Sequence, residues 1–220
     1  MNADLWPLFG LRLRTERLEL RLATDDDLVG LVDAINDGIL GDEPYPFATT
    51  WYLQPDPVRT WRALQFHWRA RAGVTPDSFN LPFIVVADGT VIGTQGVGAR
   101  DFLALRTFST GSWLTRRAQG RGFGKEMRGA VLAFGFTCLN AATATSAARQ
   151  STERSIKVTQ SLGYRENGRY PFLFGDEPGE EVNFRLDRAD WDTRPDRSAV
   201  EIVGWEACSA MFTSPLSDET

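Results

Sequence analysis

Gln119-Gly120-Arg121-Gly122-Phe123-Gly124 lies between an apolar, strand-like run (Thr107 to Leu114) and a helix-like run (Lys125 to Phe136). A glycine-rich turn feeding a helix start can cradle a phosphate. The first N–H groups of the helix are free, the dipole places partial positive charge there, and glycine lets the backbone come close. The plainer alternative is a flexible strand-to-helix connection. The spacing is neither G-x-x-x-x-G-K-[ST] nor G-x-G-x-x-G. What remains is Q-x-x-G-x-G before a long helix. Arg116, Arg117, Arg121, Lys125 and Arg128 crowd the same segment. Such a patch suits a small polyphosphate ligand, or is a solvated helix face.

Working outward, Arg17 to Ala23 alternates as R-L-E-L-R-L-A and predicts a strand. Thr24 and the three aspartates after it predict a helix start, with Leu28, Leu31, Val32 and Ile35 at helical spacing to about Asp37. Gly38 to Pro57 is a proline-rich loop carrying Tyr45, Phe47, Trp51 and Tyr52. It is either an exposed connection or the wall of an acceptor site. Pro57 to Ala72 predicts a second helix. Leu81 to Ala87, Asp88-Gly89 and Thr90 to Gly98 predict a hairpin. Beyond the glycine turn, Met127, Val131, Leu132 and Phe134 face a core. Ala141 to Ala148 suits a strand, with helix also open from composition. Ser151 to Leu162 predicts a helix stopped by Gly163. Tyr164 to Phe174 and Glu181 to Leu186 predict strands, and Val200 to Val203 precedes a short helix ending near Phe212. The order is β-α-α-β-β-β-α-β-α-β-β plus a tail. It implies an α/β (α+β) fold: a mixed, mostly antiparallel sheet flanked by helices.

Composition narrows the function. A net charge of −5 and the lack of a long Lys/Arg run argue against coating nucleic acid. Cys138 and Cys208 form no disulfide framework and no C-x-x-C. With His67 the single histidine, a zinc site or a His-dependent triad is not expected. His67 lies among Trp61, Phe66 and Trp68 and reads as a packing or surface residue. No signal peptide and no membrane span is read, so a reducing cytoplasm is the expected setting.

The element order, with Q-x-x-G-x-G at its strand–helix junction, resembles the GNAT acyl-CoA-dependent N-acyltransferases. Ser155-Ile156-Lys157-Val158-Thr159-Gln160-Ser161-Leu162-Gly163-Tyr164 resembles that family's N-x-x-S-x-x-V-x-x-x-L-G-F helix. T-E-R-L-E-L-R (15–21) and Gly111-Ser112-Trp113-Leu114 are similar to the branch containing ribosomal-protein N-terminal acetyltransferases. W-P-L-F (6–9), S-W-L (112–114), G-x-G-F-G-K-E-M-R (120–128), F-R-L-x-R-x-D-W (184–191) and V-E-I-V-G (200–204) resemble an actinobacterial group of succinyl-CoA transferases of GNAT fold.

The resemblance implies a single GNAT domain over 1–220, with a core of about 12–190 and a C-terminal extension of about 191–220. It implies acetyl-CoA or succinyl-CoA as co-substrate, no metal, an amine acceptor (a small molecule or a protein amine), no nucleic acid, no membrane, and a homo-oligomer. It places Trp113, Leu114, Gln119, Gly120, Arg121, Gly122, Phe123, Gly124, Lys125, Thr152 and Ser155 around the cofactor, with Ser155 catalytic at the departing thiolate. Two rival readings are a non-catalytic acyl-CoA sensor or scaffold, and an acetyltransferase for antibiotic or toxin self-protection. There are departures from the family pattern. Thr152 replaces the usual asparagine, Ser109 the usual glutamate base, and Thr159 the tyrosine acid of many members. The acceptor proton is then expected to leave through water or through Asp101, Glu43 or Asp42. A succinyl carboxylate would need a cation, for which Arg100, Arg116 and Arg117 are available.

Overall fold

The computed structural model describes residues 3–39, 47, 49–195, 197 and 199–213. Its strands are β1 (Arg12–Arg14), β2 (Glu19–Leu22), β3 (Phe79–Ala87), β4 (Thr90–Ala99), β5 (Thr107–Leu114), β6 (Thr143–Arg149), β7 (Arg165–Phe174), β8 (Glu177–Asp187) and β9 (Glu201–Val203). Its helices are α1 (Asp25–Asn36), α2 (Val58–Ala72), α3 (Phe102–Leu105), α4 (Phe123–Thr137), α5 (Glu153–Ser161), α6 (Arg188–Asp192) and α7 (Trp205–Cys208). The strands form one sheet in the order β7-β8-β6-β5-β4-β3-β2-β1-β9. Among the described residues every neighbouring pair is antiparallel except β5 and β6. This is the mixed, mostly antiparallel sheet flanked by helices that the element order predicts.

Local chemistry explains the elements that position the site. Thr24 caps α1: its hydroxyl accepts from the Asp27 N–H while the Asp27 carboxylate accepts from the Thr24 N–H. Asp88 and Gly89 both take positive φ, the requirement of a tight two-residue hairpin, and join β3 to β4. Phe134 and Phe136 of α4 pack on Phe83 and Phe108. Gly135 lets the two layers meet, because a Cβ there would stand 2.3 Å from the Phe108 ring. Ala23, Leu28, Leu31, Ile35, Ile84, Val86 and Val91 form a second apolar cluster under α1.

The strand alternative for Ala141 to Ala148 is the correct one. β6 bonds β5 on one side and β8 on the other, and that pairing overrides the helix-compatible alanines. The first predicted strand is shortened to Glu19–Leu22, and a separate three-residue strand, Arg12–Arg14, precedes it. The tail strand β9 pairs with β1, and Cys208 and Phe212 are buried in the main apolar cluster. Among the described residues, no helix is long and apolar enough to cross a membrane.

Candidate functional site

The middle of the sheet comes apart. β5 and β6 run side by side from Thr107↔Thr143 to Thr110↔Ser146 and no further. From Gly111 to Leu114, β5 continues on β4 alone, while Ala147 to Arg149 of β6 continue on β8. A wedge therefore opens inside the sheet, and among the described residues the β6-facing backbone of Gly111 to Leu114 has no strand opposite. The vertex is tied shut. The Ser146 hydroxyl donates to the Thr110 carbonyl at 3.3 Å, and the Thr110 and Tyr164 hydroxyls lie 3.2 Å apart. Burial pushes the Tyr164 phenol above its ordinary pKa, so it stays protonated.

The glycine turn stands beside the open half. Gly120 and Gly122 have φ of 75° and 83°, and Gly122 is the residue immediately before α4. A Cβ is disfavoured at both. Gly124 differs: it is already helical, and a Cβ there would make only ordinary contact with Val158 at 3.8 Å. The left-handed requirement thus falls on Gly120 and Gly122. Gln119 turns its amide away from the loop and donates to the Leu114 carbonyl at 3.1 Å. Arg121 and Lys125 are exposed beside the turn, while Phe123 is buried.

A brace unread in the sequence fixes this turn. The Arg17 guanidinium donates to Glu126 at 2.8 Å and to the Arg121 carbonyl at 3.1 Å, and lies over the Phe123 ring. Thr15 donates to the other Glu126 oxygen at 2.6 Å. Glu126 sits in the first turn of α4, where a carboxylate also meets the positive end of the helix dipole.

Thr152 precedes α5 and donates its hydroxyl to the Arg149 carbonyl, so it does not cap the helix. Ser155 is half-buried in the first turn. Thr159, one turn on and fully buried, donates to the Ser155 carbonyl at 2.9 Å. The two share a face of α5. Arg128 joins that face to the wedge. It donates to Thr159 Oγ1 at 2.5 Å and to Ser112 Oγ at 3.1 Å. Arg128 is 5% exposed, and its Nε–H is buried without a partner. Gln95, opposite Ser112 on β4, donates to the Gly111 carbonyl while its Oε1 is likewise buried and unpartnered. The run of basic residues alone predicts Arg128 in the surface patch, and the structure buries it. The signal that locates it inside is its place in α4, in one stripe with Gly124, Val131, Leu132 and Gly135.

The opposite face of the sheet carries aromatics. Trp113 lies 6.4 Å from Trp51, which neighbours Tyr52, and Tyr52 meets Phe47 at 5.1 Å. Part of the proline-rich loop therefore stands over the open half of β5. Ser109 is on the closed half and donates to the Gly98 carbonyl at 3.1 Å. Asp101 lies before β5 begins. The four residue steps from Thr107 to Gly111 span about 13 Å of strand, so Asp101 belongs to the closed end and is poorly placed as a base. Asp42, Glu43 and Tyr45 lie outside the described residues. Arg100 and Arg116 are exposed, and Arg117 pairs with Asp37 at 2.9 Å. Burial raises the Cys138 thiol and pushes Cys208 up to about 12, so neither is a ready nucleophile.

Several solved structures share this architecture. Mycobacterium smegmatis RimJ in complex with CoA-disulfide is 20% identical, with a TM-score of 0.64 over 93% of this chain and 95% of its own. The ribosomal-protein-S5-alanine acetyltransferase of Vibrio fischeri is 17% identical, with a TM-score of 0.62 over 82% of this chain and 98% of its own. The spermidine N-acetyltransferase of Vibrio cholerae, in complex with CoA and spermine, is 14% identical, with a TM-score of 0.64 over 80% and 99%. At these identities the likeness is one of fold. Residues 17–165 match the acetyltransferase (GNAT) domain. That match runs from the arginine bracing the glycine turn to the first residue of β7, and the chain belongs to the GNAT acetyltransferase family.

Proposed function

We propose that this chain is an acyl-CoA-dependent N-acyltransferase in which an amine attacks the thioester directly. Membership of the acetyltransferase family supports acyl transfer from coenzyme A to an amine. The observation that carries the reading is the juxtaposition of two features. One is a helix N-terminus opened by Gly120 and Gly122; the other is a strand segment, Gly111 to Leu114, that β6 no longer pairs and whose Leu114 carbonyl accepts from Gln119. The first is suited to a pyrophosphate. The second offers backbone groups to an extended amide-bearing arm, as a sheet edge does.

In this reading Gly120 to Gly124 and the neighbouring Arg121 and Lys125 hold the phosphates. A backbone N–H of the Trp113–Leu114 segment polarises the thioester carbonyl without reorganising. The amine adds to that carbonyl carbon, the C–S bond breaks, and the electron pair leaves with sulfur. Ser155 donates to the departing thiolate. The proton of the attacking nitrogen passes to water, because the Ser109 hydroxyl is no base near neutral pH and faces the Gly98 carbonyl. The aromatics Trp51 and Trp113 wall the side from which the acceptor arrives. The donor is acetyl-CoA or succinyl-CoA.

The test is acyl-CoA turnover with and without a panel of amines, including a polyamine and peptides with free N-termini. Amine-dependent release of CoA supports the reading. Tight CoA binding with no release for any amine favours the sensor or scaffold alternative.

A further inference from the structure

Arg128 is a buried cation without an anion. Its two hydrogen-bond partners, Thr159 and Ser112, are neutral hydroxyls, and among the described residues it pairs with no carboxylate. Two nearby arginines have counter-charges, Arg17 in Glu126 and Arg117 in Asp37, and Arg116 and Arg121 are exposed to solvent. A guanidinium removed from water and left unpaired is costly, and a buried charge ordinarily has a counter-charge. Two of the five N–H groups are used by the hydroxyls. The Nε–H and one N–H on each terminal nitrogen remain, in the planar fork that matches a carboxylate.

The place is as informative as the charge. Ser112 stands on the half of β5 that has lost β6, and Thr159 stands on α5 one turn beyond Ser155. The guanidinium thus crosses the wedge where the proposed reaction seats the acyl group. Arg100 and Arg116 lie on the surface and Arg117 is held by Asp37, so none of them is a buried cation at this point. Gln95 Oε1 is an acceptor and does not serve a carboxylate; an N–H or a water meets its need.

We propose that Arg128 selects the acyl donor by receiving the terminal carboxylate of a dicarboxylic acyl chain carried on coenzyme A. This rests on the N-acyltransferase reading and specifies its donor class. A neutral acyl chain would leave the guanidinium uncompensated.

The experiment measures calorimetric affinities of the full chain for succinyl-CoA, butyryl-CoA, acetyl-CoA and CoA. Butyryl-CoA has nearly the size of succinyl-CoA without its charge. Wild type is expected to bind succinyl-CoA about 10- to 100-fold more tightly than butyryl-CoA, the range of a charged hydrogen-bonded pair. Arg128→Met is expected to erase that preference while CoA affinity stays within about 2-fold, and Arg128→Lys to keep part of it. The wild-type ratio needs no variant, so the proposal is testable even if Arg128→Met does not fold. Equal binding of succinyl-CoA and butyryl-CoA by wild type overturns it. So does an equal loss for all four ligands in a folded Arg128→Met protein, which would assign Arg128 to the CoA arm or the fold. Binding of none of the four fails at the broader reading and takes this proposal with it. Binding of CoA with no acyl preference spares that reading and refutes only the role of Arg128.

Discussion

The two halves of β5 are built from the same kinds of residue and meet opposite fates. Thr107 to Thr110 all pair with β6, Ser109 and Thr110 pair with β4 as well, and the hydroxyls knit the seam: Ser109 to Gly98, Thr110 to Tyr164. Gly111 to Leu114 keeps β4 and loses β6. Buried backbone groups are nearly always paired, and an unpaired edge inside a sheet is a liability unless water or a ligand meets it. The closed half is therefore structural and the open half is a template. The difference arises outside β5, from β6 turning away with β8 and from α5, whose Thr159 reaches Ser112 through Arg128.

Substitutions can break this division. The largest effect is expected at Gly122, whose φ of 83° no branched residue adopts easily. Gly122→Val is expected to weaken CoA binding by more than about 100-fold, by blocking the phosphate approach. Gly124→Ala, inside the helix, is expected to change it by less than about 5-fold, since alanine favours the helix. Calorimetry on folded proteins checks the pair; equal losses would mean that the turn is not the anchor of the open half.

Next is Ser155. Ser155→Ala is expected to slow single-turnover acyl transfer by about 10- to 1,000-fold with little change in CoA affinity. A wild-type rate would show that the thiolate leaves without it. Ser109, on the closed half, should matter far less: Ser109→Ala is expected to cost under about 10-fold, or about 1.4 kcal/mol of barrier. A loss beyond about 100-fold would erase the distinction between the halves.

The smallest effect concerns the whole fold. His67 is on the buried face of α2, and burial, with Arg71 nearby, lowers its pKa to about 4. The unfolded chain binds a proton near pH 6.5 and the folded chain resists it, so stability is full above that value and declines as pH falls toward 4. Between pH 7 and pH 6 the loss is expected to stay under about 1 kcal/mol. His67→Gln should flatten urea midpoints across that interval. Activity profiles of the two halves are therefore best compared above pH 7.

Much of this was legible in the sequence because it is local. The Asp88-Gly89 hairpin, the Thr24 cap and the Gln119–Gly124 turn each follow from a few adjacent residues. The β1 strand was not legible: three residues carry no periodicity, and its partners β2 and β9 are set by long-range pairing. Arg128 was misplaced for a related reason. Charge density along the chain counted it with Arg121 and Lys125, whereas its position in an apolar helical stripe turns it inward. The parting of β5 and β6 has no local signature, because it depends on where the ladder between two distant segments stops.

The pairing of Trp51 with Trp113 has an optical consequence. Two indoles with centroids 6.4 Å apart and planes inclined at 52° are close enough for their transition dipoles to couple. Such coupling gives a signed pair of circular-dichroism bands whose shape depends on mutual orientation. One ring rides on the open half of β5 and the other on the loop over it. In the proposed reading, an amine binding against either ring would turn one dipole relative to the other. The difference spectrum between wild type and Trp51→Phe would then isolate a spectroscopic gauge of acceptor entry, with no added label and no turnover.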